Sequence, residues 1–336
     1  MTASAVLVEV TRGLSVESRH LGAVAVSDAA GGLLLSIGDV ERPVFPRSAV
    51  KAIQALPLVE SGAAARFGLT DQELALACAS HGGEPEHVAT AAGVIARLGL
   101  SADALECGAH WPLNEAAARA LAASGAGPSA LHNNCSGKHA GFLCLACAME
   151  TDSAGYIDPE HPVQREVKAA LEGMTGVRID EAAAGVDGCG IPTYAAPLKS
   201  LATAFARFGT GERLGDVRAA AARTLMAAAW SAPFHVGGSG RFDTEAMQLG
   251  AFRIFVKFGA EGVHLAALPE LGLGVAIKID DGASRAAEAA MAAVLRRLSP
   301  AEGDLAAWLD LRAAQPLTNW AGVEVGVVRA AESLSS

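Results

Sequence analysis

The sequence is poor in lysine. Of 26 Lys plus Arg, only six are lysines: Lys51, Lys138, Lys168, Lys199, Lys257 and Lys278. Arginine supplies most of the positive charge, so a lysine in an unusual setting stands out, because lysine can lose its proton and arginine cannot. A basic stripe is also missing and the formal charge is −10, which argues against nucleic acid as a partner. No apolar run approaches the roughly 20 residues of a membrane span, so no membrane partner is expected. The first residues, MTASAVLVEVTRGLSVESRH, lack the basic head and continuous apolar middle of a secretion signal. The expectation is a soluble cytoplasmic protein. In such a chain the six cysteines, Cys78, Cys107, Cys135, Cys144, Cys147 and Cys189, read as thiols rather than as a disulfide framework.

What the chain has is apolar surface to bury. It is 51% hydrophobic over 336 residues, with mean hydropathy +0.31, enough for one large domain or two interlocked ones. Apolar or alternating runs near AVLVEVTR, RHLGAVAVSD and GGLLLSIGD predict strands in the first forty residues. From Pro46 the period changes. RSAVKAIQALPLVESG predicts a helix, followed by helices over 71–80, 85–98, 114–123, 137–150, 163–173 and 194–207. The glycine-rich VGGSGRFDT (236–244) predicts a connector or a lid. Strands then follow in AFRIFVKFG, GVHLAALP and LGVAIKID, helices over 284–298 and 303–314, and a last strand near VEVGVVRA. Strands at both ends around a helical middle predict an α/β (α+β) fold. Its antiparallel sheet is expected from about 1–60 and 250–336, flanked by helices, with an α-rich insertion over about 61–249, and 1–336 is expected to form a single unit.

Several constellations have the residue types that chemistry needs. Ser48 and Lys51 lie one helical turn apart, so a hydroxyl and an amine share a face. A serine attacks only when a base takes its proton, and a lysine is such a base only when desolvation or nearby positive charge keeps it partly neutral. A serine cap with a solvated lysine in the first turn explains the same spacing. In Cys78-Ala-Ser80-His81-Gly82-Gly83 the glycines suit either a helix end or a pocket wall. Cys135 and Lys138 repeat the one-turn spacing, and Cys189 lies between glycines in GVDGCGIP, where backbone can approach a ligand closely. Two thiolates suit Zn²⁺, with lysine an unusual third ligand, although two buried thiols in tight turns are the simpler reading of the same residues. Cys144 and Cys147, inside an apolar helix, read as core. Lys257, at the end of a predicted strand, could face the Ser48 helix, an arrangement like that of penicillin-recognising enzymes and serine β-lactamases.

Taken together, RSAVKAIQALPL (47–58), SHGGEPEH (80–87), HNNCSGKHAG (132–141), VDGCGIP (186–192) and KFGAEG (257–262), with AIKIDDG (276–282) in support, resemble the Rhizobium etli-type L-asparaginases, the asparaginase II or class 3 family. The motifs run in order through about two-thirds of the chain. The resemblance implies a homodimeric amidohydrolase that splits L-asparagine into L-aspartate and ammonia, on a fold related to serine β-lactamases and glutaminases. It implies Ser48 as nucleophile with Lys51 as its base, Ser80 and Lys257 as a second Ser–Lys pair, and a zinc site of Cys135, Lys138 and Cys189 that need not be essential to turnover. Arg47, His139 and Asp187 would orient substrate or water. A glutaminase or broader serine amidase fits the same residues, since one methylene of pocket length changes binding by only about 1–3 kcal/mol. A thiol–zinc binding protein without catalysis is the reading from a different class. A β-lactamase role is disfavoured by the expected cytoplasmic address and the altered motifs.

Overall fold

The computed structural model describes residues 4–180, 183–299 and 302–335. An eight-stranded antiparallel sheet is built from both ends of the chain. Its strands run in the order Ala314–Thr318, Glu324–Ala330, Ala5–Arg12, Ser15–Asp28, Leu273–Ile279, Val263–Leu268 and Phe255–Gly259, with Leu33–Ile37 pairing with Ser15–Asp28. Residues of Val263–Leu268 are buried at every position, which means that both faces of the sheet are covered. The helices Leu198–Thr210 and Ser284–Leu298 provide that cover. Gly274 is what lets the first of them approach. A Cβ there would lie 2.0 Å from the Ala202 carbonyl oxygen and 2.3 Å from the Ala206 nitrogen.

The helical middle packs a second apolar cluster around the helix Ser136–Ala148, including Phe142, Leu143, Tyr156, Val163 and Ile191. The larger cluster spans the sheet and the helices Leu198–Thr210 and Asp216–Ser231. Lys51 sits in the helix Lys51–Gln54, whose Ala52 and Ile53 belong to the larger cluster, while Cys135 and Cys189 belong to the smaller one. The candidate site residues therefore lie along the seam between two cores. All six cysteines are unbridged, and Cys144 is fully buried in the core.

Three local expectations change. The helix predicted from residue 46 is broken into a 3₁₀ turn, Arg47–Val50, and the short helices Lys51–Gln54 and Leu56–Glu60. Pro57 explains the second break, because it has no N–H for the Ile53 carbonyl and its ring crowds that oxygen. The helix predicted over 194–207 begins at Leu198, after short strands Pro192–Tyr194 and Ala196–Pro197, because two prolines hold the chain extended. The strand predicted from Ala251 starts at Phe255, since Ala251 and Phe252 both have positive φ, 23° and 66°, and turn the chain. Among the described residues, no helix is long and apolar enough to cross a membrane.

Candidate active site

Ser48 lies inside the 3₁₀ turn, one residue after Arg47, whose φ of +52° places a non-glycine residue in the left-handed region. Such strain costs on the order of 1–3 kcal/mol and persists only where surrounding contacts enforce it. Here Nε and Nη2 of Arg47 both donate to Asp187 Oδ1, at 2.9 and 2.7 Å. Burial would raise the Asp187 pKa, but the charges of Lys138 and Arg47 outweigh it and hold the carboxyl below its usual range. No hydrogen bond among the described residues engages the Ser48 hydroxyl. The Ala49 N–H, one of the backbone donors that could stabilise an oxyanion, is taken by the Pro46 carbonyl at 3.1 Å.

The sheet presses on this turn from below. A Cβ on Gly259 would sit 2.6 Å from the Pro46 oxygen and 2.9 Å from the Ala49 nitrogen. Gly259→Ala is therefore expected to displace the Ser48 turn, lowering kcat/KM at least ten-fold and stability by about 1–3 kcal/mol. Steady-state kinetics alongside thermal melting checks this. Unchanged kinetics would mean that the turn does not depend on that contact.

Lys51 is fully buried and ties three segments together. Its Nζ donates to the Ala79 carbonyl at 2.5 Å, to Ser80 Oγ at 3.0 Å, to Cys135 Sγ at 3.1 Å and toward the Asn134 carbonyl at 3.4 Å. The amine expected to serve Ser48 thus rests against Ser80. Lys257, inside the strand Phe255–Gly259, is likewise buried, and donates to Asp243 Oδ2 at 3.3 Å and to its neighbour Phe258's carbonyl at 2.8 Å. Burial is the main cause of its depressed pKa, with Lys51 and Arg241 adding repulsion against the attraction of Asp243, and the net value falls to about 8. The Cys78 thiol, two residues before Ser80, feels the charges of both lysines, although burial raises its pKa to about 12. Lys51 and Ser80 therefore meet, while among the described residues no hydrogen bond joins either expected pair, Ser48 with Lys51 or Ser80 with Lys257.

Cys135, Lys138 and Cys189 also come together. Lys138 Nζ donates to Cys189 Sγ at 3.0 Å, and Lys51 Nζ donates to Cys135 Sγ at 3.1 Å. The neighbouring Cys189 thiol, with the Lys51 and Lys138 charges, draws the Cys135 pKa well down against the cost of burial, while the proximity of Cys135 and burial push Cys189 up. Burial would depress Lys138, but the Cys135 charge, the hydrogen bond to Cys189 and the Asp187 carboxylate outweigh it and keep it ammonium. Two sulfurs and an amine fit a soft divalent ion such as Zn²⁺, provided that Lys138 gives up the proton that blocks its lone pair. Among the described residues no group of three His, Cys, Asp or Glu forms a metal site, so any metal here depends on the lysine. His139 is fully buried, with Nδ1 2.7 Å from the Tyr156 hydroxyl and Nε2 without a partner among the described residues, and burial lowers its pKa well below the imidazole norm.

Further polar groups joined the site without a sequence signal strong enough to find them. Asp243 and His264 lie behind Lys257, and Asn134 is fixed by His110, whose Nε2 accepts from the Asn134 N–H at 3.0 Å. The turn after Ser80 also holds the glycine loop. Glu84 accepts from the Ser239 N–H at 2.9 Å and from its hydroxyl at 2.7 Å, and Gly238, at φ +103°, passes so close that a Cβ would lie 2.6 Å from Glu84 Oε1. A cleft of about 500 Å³ reaches the Arg47 side, lined also by Phe45, Val186, Lys278 and Asp280.

Fold and site define the class as an α+β protein in which a serine hydroxyl, that of Ser80, rests against the buried Lys51 amine. The chain belongs to the L-asparaginase II family, whose model matches residues 8–330. It is similar in structure to a β-lactamase from Mycobacterium bovis, at 14% identity and TM-score 0.36 over 79% of this chain and 89% of that one. It is also similar to a protein assigned as a β-lactamase from Bacteroides dorei DSM 17855, at 12% identity and TM-score 0.36 over 77% and 84%. No curated protein sequence matches it.

Proposed function

We propose that the protein is an L-asparaginase of the Rhizobium etli type, hydrolysing L-asparagine to L-aspartate and ammonia. Family membership supports an amidohydrolase. The observation that carries the finer reading is the uncommitted Ser48 hydroxyl, set between the strained, Asp187-bound Arg47 and the buried Lys51 one turn on. Ser48 Oγ attacks the side-chain amide carbon, and its proton passes to the Lys51 amine. The C–N bond breaks as the leaving nitrogen takes a proton from the Ser–Lys network and departs as ammonia. Water then attacks the aspartyl ester, which returns the proton to Ser48. Arg47 and Asp187 present one cation and one anion beside the nucleophile, suited to the α-carboxylate and α-amino groups of an amino acid. The homodimer belongs to the same proposal, and sedimentation tests it.

Zn²⁺ would be held by Cys135, Lys138 and Cys189, where it supplies a positive centre for substrate groups. Two thiolates make it a weak Lewis acid, so positioning is the proposed role. Removing the metal with a chelator is therefore expected to raise KM for L-asparagine while kcat changes only a few-fold. A collapse of kcat at unchanged KM contradicts positioning.

One observation favours a second reading. The Lys51–Ser80 hydrogen bond pairs the amine with the other serine, so that Ser80 would be the nucleophile and Ser48 its partner. Ammonia release from L-asparagine, L-glutamine and D-asparagine tests the class. Fast release from L-asparagine alone is expected. Preference for L-glutamine makes the protein a glutaminase, and no release from any of the three in folded, zinc-supplied protein refutes the amidohydrolase assignment.

A further inference from the structure

Behind Lys257 lies a buried polar chain that the fold does not require. Asp243 opens the second position of the helix Phe242–Gly250 and is almost completely buried, as are Lys257 and His264. Its Oδ2 accepts from the Phe258 N–H at 2.9 Å and from Lys257 Nζ at 3.3 Å, and its Oδ1 pairs with His264 Nε2 at 3.1 Å. His264 sits in a strand whose other five residues are apolar, and its Nδ1 has no hydrogen-bond partner among the described residues. Burying a carboxylate, an ammonium and an imidazole costs more than an apolar filling of the same volume, so such a chain is poor evidence for a stability role. Its order has a chemical meaning, because an amine is useful in catalysis when a third group fixes its direction and charge.

We propose that Asp243, anchored by His264, is the positioning residue that aims the Lys257 amine and sets its proton affinity for the hydrolytic reaction. This role rests on the amidohydrolase reading above. Two of the three ammonium donors of Lys257 are committed, one to Asp243 and one to the Phe258 carbonyl, which leaves one for a substrate or leaving group. Around the chain stand Lys51 from its short helix, Arg241 just before the Asp243 helix, Glu288 from the helix Ser284–Leu298 and Arg312 from the helix Asp304–Ala313. Burial disfavours the ammonium, Lys51 and Arg241 repel it, and Asp243 is the carboxylate that draws it back. Without that charge Lys257 releases its proton at lower pH, becomes a weaker base and loses its direction.

The scarcity of lysine makes the test direct. In protein labelled with ¹³C at the lysine Cε only six signals appear, and Lys257 is assigned by its loss in Lys257→Met. Its titration midpoint is read in wild type and in Asp243→Asn, alongside the pH profile of kcat/KM for L-asparagine. In the wild type both the midpoint and the acid limb are expected near pH 8. In Asp243→Asn both move together to lower pH by about one unit or more, the plateau kcat falls at least ten-fold, and KM stays within about two-fold. Should Asp243→Asn fail to fold, His264→Gln is read the same way and is expected to displace midpoint and limb together by less. A midpoint that moves while the limb stays overturns the catalytic link. A lower melting temperature with midpoint and limb both fixed leaves Asp243 structural only and overturns the proposal outright. Because the midpoint is read without turnover, a wild type that releases no ammonia refutes the amidohydrolase reading separately.

Discussion

Ser48→Ala is expected to reduce ammonia release from L-asparagine by roughly 10⁴-fold or more, the scale lost when a nucleophile is removed from a working Ser–base unit. The change should leave the fold intact, since the hydroxyl makes no hydrogen bond among the described residues and its loss strands no partner. Melting temperature should therefore stay within a few degrees while kcat collapses. Ser80→Ala is the control that gives the result its meaning. Its hydroxyl accepts from Lys51 at 3.0 Å, so its loss is expected to cost about 10²–10³-fold, as for a proton relay, and not the whole rate. If the ranking is reversed, Ser80 is the nucleophile and Lys51 serves it directly.

Lys51→Met carries the second large effect and acts on both rate and stability. Methionine fills a similar volume but has no donor for the Ala79 and Asn134 carbonyls, and no charge beside Cys135. Each buried acceptor left unsatisfied costs about 1–3 kcal/mol, so a total loss of about 3 kcal/mol or more is expected from denaturant unfolding. Activity should be lost completely at every pH. Restored stability in Lys51→Arg with activity still absent would separate the two roles, because arginine supplies donors and charge but cannot accept a proton. Full activity in Lys51→Met would remove the amine from the mechanism.

The parts of this site that were legible in the sequence are those whose residue types are odd for their local setting. Cys135, Lys138 and Cys189 in glycine turns are odd in that sense, and the structure brings the three together. Strands at both chain ends around a helical middle were legible because period-2 and period-3.6 runs are local. What depends on distant partners was not. Nothing near Lys51 in the chain says that its amine meets Ser80, 29 residues away, or Cys135, 84 residues away. Asp243 looks like an ordinary first-turn acid, and His264 like a lone histidine in a strand, until the helix and strand are packed together. The left-handed Arg47 was invisible for the same reason, since its conformation is enforced by Asp187, 140 residues on. Local signals also misjudged the 47–60 segment, where a helical pattern continued through Pro57, which interrupts the hydrogen bonds.

The central claim is that Ser48 forms the covalent intermediate. Mixing the protein with L-asparagine, quenching in acid within milliseconds and mapping the digest by mass spectrometry locates the ester. An aspartyl adduct is expected on the peptide containing Ser48, absent in Ser48→Ala. An adduct on the peptide containing Ser80, or none on any serine while ammonia is being released, would contradict it.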